Sequence, residues 1–273
     1  MSTYTEIHTQ EDTVQSLFSL HGQVAIVTAG ASWLGSAMSR ALAEAGAKVV
    51  VTSREGERAE AFAASLPGEG HLGLPLAQEN TETLDDFVAE VVRRLGRVDV
   101  LVNNAYGATA PSIDTATAED FDRAFHTGVT AYFILARAVA QHLRSRQAPG
   151  SIINIASMYG MVASYPDVYI GYKVNSPPNY HALKGGLLHL TRHLAVYWAT
   201  DNIRVNAISP GPFPPPRVND ANPGFTDRLS EKVPLGRMGR PGELKGAVVF
   251  LASAASSYVT GQNLVVDGGW TAW

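Results

Sequence analysis

Tyr180 and Lys184 stand four residues apart in Pro178-Asn179-Tyr180-His181-Ala182-Leu183-Lys184-Gly185-Gly186, the interval that sets two side chains on one face of a helix. An ammonium beside a phenol favours the phenolate and draws the tyrosine down from its usual pKa of about 10, so that it can exchange a proton with an alcohol. Spacing alone does not single this pair out. Tyr169-Ile170-Gly171-Tyr172-Lys173 repeats it, and any half-buried tyrosine beside a solvated lysine satisfies it. The surroundings separate the two. Gly171, Pro177 and Pro178 interrupt a helix that would carry Tyr169 and Lys173 onward, whereas an amphipathic pattern runs unbroken from Asn179 to Ala199.

Positioning such a pair takes a scaffold, and the pattern along the chain supplies one. Short β-branched runs alternate with longer Ala- and Leu-rich helical patterns, the form of repeated βαβ units around a parallel sheet. Strands are expected at Val24–Thr28, Lys48–Thr52, Val98–Asn103, Gly150–Ala156, Ile203–Ser209 and Asn263–Val266, with another near His71–Leu76. Their apolar continuity predicts a sheet covered on both faces. Helices are expected at Gly35–Ala45, Glu57–Ala64, Glu82–Leu95, Ala118–Leu143, Asn179–Ala199 and Pro241–Ala252. No linker divides the chain, so residues 21–273 are expected to form one α/β domain, a doubly wound parallel sheet. Residues 1–20 are expected to be a tail, free to pack on a neighbouring subunit.

Composition narrows the function classes. The 273 residues carry a net charge of -4 without a dense Lys/Arg block, which argues against a nucleic-acid or anionic-membrane partner. The absence of cysteine excludes disulfides, thiolate metal sites and a cysteine nucleophile, and fits a reducing cytoplasm. Met1–Gln15 is polar and lacks the apolar core of a secretory signal, and no apolar run reaches membrane-spanning length.

After the first strand, Thr28-Ala29-Gly30-Ala31-Ser32-Trp33-Leu34-Gly35 stands where a dinucleotide pyrophosphate would meet helix N-terminal amides. This turn, Asn103-Asn104-Ala105, Ser157, Tyr180 with Lys184, Ile203-Arg204-Val205-Asn206, Pro210-Gly211 and Val265-Val266-Asp267-Gly268-Gly269 fall in the order seen in short-chain dehydrogenases/reductases. The chain resembles that family over nearly everything after residue 20. The resemblance implies a Rossmann-type fold holding a nicotinamide cofactor at Gly30, Ser32, Trp33, Leu34, Ser53, Arg54, Asn103, Ala105, Tyr180, Lys184, Pro210, Gly211 and Phe213. It implies Tyr180 as catalytic acid/base, Lys184 lowering its pKa and holding the nicotinamide ribose, and Ser157 bonding the substrate oxygen. It also implies a homotetramer or homodimer.

Four positions depart from that family's pattern. Ala29 and Trp33 replace glycines of the phosphate turn, and Trp33 either covers the nicotinamide end of the cleft or packs on the following helix. Tyr106 replaces the glycine after Asn103-Asn104-Ala105. Gly128 stands where the family carries an asparagine that organises a proton-relay water with the lysine, leaving a gap for a water or for help from His126 or Thr127.

Cofactor choice turns on the end of the second strand, Val50-Val51-Thr52-Ser53-Arg54, where an acid would bind a ribose 2'-hydroxyl and repel a 2'-phosphate. With no acid there and Arg54 at hand, NADP(H) is favoured, with NAD(H) the alternative. Leu76-Ala77-Gln78 replaces the family's adenine-side acid. A proline run, Pro212 and Pro214 to Pro216, opens a segment read as a substrate lid over about 212–230. The connection from Ser157 to Tyr180 is longer than usual for the family and resembles that of gluconate-5-dehydrogenase-like members. It carries Met158, Tyr159, Met161, Tyr165, Tyr169 and Tyr172, a surface suited to stacking on a sugar or packing subunits together. The expected reaction is hydride transfer between nicotinamide and a ketone or secondary alcohol, a sugar or polyol ahead of a 3-oxoacyl thioester. The alternative of another class is a cofactor-binding protein with little redox turnover.

Overall fold

The apolar runs pair as seven parallel strands in the computed structural model of the chain, which describes residues 13–107 and 112–272. These are β1 (Val24–Val27), β2 (Lys48–Ser53), β3 (Leu72–Pro75), β4 (Val100–Asn103), β5 (Gly150–Ile155), β6 (Ile203–Pro210) and β7 (Asn263–Val266). They lie in the order β3-β2-β1-β4-β5-β6-β7. The direction of winding reverses at β1, where Ala25 faces Val49 on one side and Val100 on the other. Such a switch opens a crevice at the carboxyl ends of the strands.

Because successive strand residues point to opposite faces, the core splits into two layers. Ala25, Val27, Val49 and Val51 pack against α2 (Trp33–Glu44), α3 (Gly56–Ala64) and α11 (Lys245–Ala252). Ile26, Val50, Leu101 and Ile152 pack against α4 (Leu84–Leu95), α6 (Ala131–Ser145) and α8 (Pro178–Trp198). Both faces are covered, as the unbroken apolar strands require.

The single helix expected over Ala118–Leu143 is instead three segments. Ala118–Phe125 (α5) starts from a Thr117/Asp120 capping box, His126–Thr130 widens into a π turn, and α6 follows. Gly128 sits in that widened turn. The part of the expected tail that is described docks on its own domain: α1 (Val14–Phe18) brings the Phe18 ring to 6.3 Å from Phe250, and Leu20 is fully buried. A third apolar cluster joins the short helices α7 (Pro166–Tyr169), α9 (Pro216–Ala221) and α10 (Phe225–Ser230) to Trp270. No described helix is long and apolar enough to cross a membrane.

Candidate active site

Pro178 occupies the first turn of α8, where its missing N–H is no loss. Six residues later the helix delivers Lys184 to the underside of β5, where its Nζ donates to the Ile155 carbonyl at 2.6 Å. Lys184 is only 3% exposed, and burial lowers its pKa to about 7. Tyr180, on the same face, has its phenol within hydrogen-bonding reach of Ser157, which follows β5 in extended conformation. The Ser157 hydroxyl also accepts from the Tyr159 amide at 3.2 Å. Burial pushes the Tyr180 phenol above its ordinary value, and the Ser157 hydrogen bond offsets part of that rise. The expected lowering by Lys184 is therefore corrected for the chain alone. The ammonium is turned to the Ile155 carbonyl, 5.6 Å from the Tyr180 ring centre, and desolvation of the phenol prevails.

Beside this group, a cleft of about 480 Å³ opens at the carboxyl ends of β1, β2 and β4. Of the expected cofactor residues, Ser32, Trp33, Leu34, Ser53, Arg54 and Ala105 line it. Ser32 caps α2 by accepting from the Gly35 amide at 3.3 Å, which presents the helix N-terminus to the cleft. The others lie elsewhere. Gly30 lies under the turn, where a Cβ would meet Ser39 Oγ at 2.8 Å and the Val27 carbonyl at 2.9 Å. Asn103 is fully buried, its Nδ2 donating to Asn154 Oδ1 at 3.0 Å and the Tyr132 carbonyl at 3.3 Å. The strand pleat turns it into the sheet, and Asn104 faces the cleft in its place, held by the Thr28 carbonyl at 2.9 Å. Pro210, Gly211 and Phe213 lie beyond the cleft, tied to it by Trp33 Nε1 donating to the Phe213 carbonyl at 3.0 Å. Trp33 thus bridges the turn after β1 to the segment that follows β6.

Two cleft arginines escaped the sequence reading, and Gln78, read there only as the replacement for an acid, joins them. Arg58 reaches from α3 to the Ala31 carbonyl at 3.0 Å, Arg217 comes from α9, and Gln78 donates to the Thr127 carbonyl at 2.7 Å. Arg58 lies in the first turn of α3, and Arg54 in the bend that precedes it. Three guanidinium groups, Arg54, Arg58 and Arg217, face a single acid, Glu79, and the buried Gln78 Oε1 has no partner. A helix N-terminus, excess positive charge and an unused acceptor fit a phosphorylated dinucleotide. Among the described residues no cluster of His, Asp or Glu could hold a metal.

The gap expected at Gly128 is filled. A Cβ there would lie 3.0 Å from Leu183 Cδ1 and 3.6 Å from Tyr106 Cδ2. His126 is turned to the Glu79 carbonyl and the Thr127 hydroxyl to the Arg123 carbonyl, so neither reaches Lys184. The Tyr106 ring lies 5.1 Å from the Tyr180 ring and forms the wall shared by the cleft and the catalytic pair.

Three tyrosines of the long connection pack on other aromatic side chains of the chain. Tyr165 packs edge-on against Trp270 at 5.3 Å, and Tyr169 and Tyr172 pack on Phe225 of α10 at 5.6 and 5.3 Å. The Tyr159 ring stacks on His181 at 4.5 Å, and its hydroxyl meets that of Tyr169 at 2.7 Å.

Residues 29–271 match a family model described as enoyl-(acyl carrier protein) reductase. The chain is 35% identical to a gluconate 5-dehydrogenase of Gluconobacter oxydans, over 93% of this chain and 97% of that protein. It is 37% identical to an NADP-dependent mannitol dehydrogenase of Hypocrea jecorina, over 93% and 94%. A crystal structure of a gluconate 5-dehydrogenase from Burkholderia cenocepacia, in complex with NADP and tartrate, superposes with a TM-score of 0.85 at 33% identity. That match covers 96% of this chain and all of that one.

Proposed function

The chain belongs to the short-chain dehydrogenase/reductase family and is an oxidoreductase, and on that premise we propose that it moves a hydride between NADP(H) and a sugar- or polyol-class ketone or alcohol. The observation that carries this reading is the meeting of Ser157, Tyr180 and Lys184 at the end of β5, one aromatic wall away from a cleft rich in arginine. A bound nicotinamide supplies or accepts the hydride. Tyr180 holds the proton that the substrate oxygen gains on reduction and loses on oxidation. Ser157 donates a second hydrogen bond to that oxygen as its charge develops. Lys184, when protonated, favours the phenolate of Tyr180 and so eases the proton's departure.

The test is nicotinamide absorbance followed against ketoses, polyols and 3-oxoacyl thioesters. Turnover with a ketose or polyol is expected. Turnover with thioesters alone would transfer the assignment to the second reading, a 3-oxoacyl thioester reductase. Tight cofactor binding without turnover on any of them would make the chain a cofactor-binding protein.

The NADP(H) preference is supported by Ser53 and Arg54 at the end of β2, by Arg58 and Arg217 across the cleft, and by the two relatives described with NADP. Replacing a guanidinium that bonds a phosphate costs about tenfold or more in affinity. Arg54→Ala should therefore narrow the preference for NADP(H) over NAD(H) by that factor in titration calorimetry. Equal or tighter binding of NAD(H) by the unmodified chain would overturn the assignment. We further infer a cytoplasmic homotetramer or homodimer, supported by the exposed Val196 and Tyr197 of α8 and Phe133 of α6. Sedimentation equilibrium tests the assembly.

A further inference from the structure

Lys184 carries three N–H donors into the interior, and the protein gives it one hydrogen-bond acceptor, the Ile155 carbonyl. What surrounds it otherwise is aromatic. Its Nζ lies 5.6 Å from the Tyr106 ring centre, 5.6 Å from that of Tyr180 and 6.0 Å from that of Tyr132. These distances lie within the range at which a cation is attracted to a ring face. Each ring comes from a different element: the loop after β4, the start of α8, and α6.

We propose that Tyr106 is a positioning residue for Lys184: with Tyr132 and Tyr180 it encloses the ammonium in aromatic faces and keeps it charged in place, in a space that exists because residue 128 is glycine. The proposal rests on the reading of Lys184 as the cation that serves Tyr180.

The steric half of the argument is reciprocal. Position 128 carries no side chain, and the Tyr106 ring edge lies 3.6 Å from where its Cβ would be, with Leu183 closing the other side at 3.0 Å. A methyl at 128 would touch that ring in ordinary contact and press only on Leu183, whereas a side chain longer than a methyl would need the volume the ring fills. The Tyr106 hydroxyl is buried without a partner, so hydrogen bonding by the phenol does not hold the ring there. The electrostatic half is a competition. Burial alone works against the charged form of Lys184, and it is the only influence resolved on its protonation, so no carboxylate offsets it. The titratable groups facing it are Tyr106, Tyr132 and Tyr180. Burial raises all three phenols, which keeps them neutral and leaves their ring faces as the source of attraction.

The chain contains five lysines, Lys48, Lys173, Lys184, Lys232 and Lys245, few enough to follow individually by NMR of lysine labelled at its side-chain carbon or nitrogen. The signal of Lys184 is assigned by its loss in Lys184→Arg. In Tyr106→Leu, which keeps bulk and removes the ring, the Lys184 midpoint should fall by about one pH unit. In Tyr106→Phe, which keeps the ring and removes the unpartnered hydroxyl, it should stay in place, with the thermal midpoint equal or higher. Gly128→Leu, which leaves Tyr106 intact but takes the volume its ring fills, should lower the Lys184 midpoint in the same direction. Where the enzyme turns over, the basic limb of kcat/KM should move with the NMR midpoint. The NMR reading needs no substrate, so an enclosure without turnover would separate a failed function from a failed proposal. An unmoved Lys184 midpoint in a folded Tyr106→Leu protein would overturn the proposal, as would an equal shift in Tyr106→Phe. An unmoved midpoint in a folded Gly128→Leu protein would remove the role given to the glycine.

Discussion

Tyr169 with Lys173 and Tyr180 with Lys184 share one interval and have opposite fates. Tyr169 ends a helix of four residues, and Gly171 then takes a φ of 86°, a turn that leaves Lys173 in solvent. The phenol of Tyr169 is spent on Tyr159 and its ring on Phe225. The second pair rides on a helix of 21 residues whose Leu183, Leu187 and Leu188 are buried. Burial of that face carries Lys184 inside and sets Tyr180 at the mouth beside Ser157. The interval brings two side chains together only where the helix between them is continuous. It perturbs their protonation only where packing also removes water.

The kinetic contrast should be the largest. A general acid/base contributes about 10²–10⁴ in rate, so Tyr180→Phe should lower kcat by about a thousandfold while NADP(H) affinity stays near that of the unmodified chain. Tyr169→Phe should leave kcat unchanged and alter KM at most. Steady-state kinetics with the reverse outcome would move the active site into the long connection.

A pH dependence of stability separates the two lysines next. Lys184 has a folded pKa of about 7 against an ordinary 10.5. Below pH 7 it is charged in both states and the folded chain bears the whole cost of burying the charge. Between 7 and 10.5 the unfolded chain binds more protons, so stability rises with pH through that window. The raised phenols of Tyr106, Tyr132 and Tyr180 oppose this only above their ordinary pKa of about 10. Lys184→Met should therefore be more stable than the unmodified chain at pH 6, by on the order of a few kcal/mol, and should flatten the rise between pH 7 and 10. Lys173→Met should change neither. Urea unfolding at pH 6, 7.5 and 9 reads both. An unaltered slope in Lys184→Met would mean that Lys184 is solvated in the folded protein.

The sequence made legible whatever depends on local pattern. Seven strands and the order of the long helices follow from periodicity, and the break between Tyr169 and the helix that carries Tyr180 and Lys184 follows from where proline and glycine interrupt it. Residues set by tertiary approach were not legible. Arg217 enters the dinucleotide cleft only because α9 folds back over it, and no spacing announces that. Asn103 was chosen over Asn104 because a motif does not say which way a strand-end residue points; the pleat decides. The gap expected at Gly128 vanished for a related reason. Tyr106 and Gly128 are far apart in sequence, and each departure could be weighed alone, but their sizes are complementary only once the loop after β4 meets the π turn.

The last contrast is the smallest and inverts the first. The Tyr159 and Tyr169 hydroxyls meet at 2.7 Å among partly buried rings. Removing one leaves the other without its partner in the interior, at a cost of about 1 kcal/mol or somewhat more. The Tyr180 hydroxyl is itself desolvated, so its removal takes a polar group out of the interior, and Ser157 keeps the Tyr159 amide as a partner. Tyr169→Phe should thus shift the urea midpoint downward by an amount equivalent to about 1 kcal/mol, and Tyr180→Phe should leave it nearly unchanged. The variant that is almost silent in kinetics becomes the destabilised one, and the inactive variant the stable one. Equal midpoints for the two would indicate that the Tyr159–Tyr169 contact exchanges freely with water, and would weaken the description of the long connection as packing that holds α10.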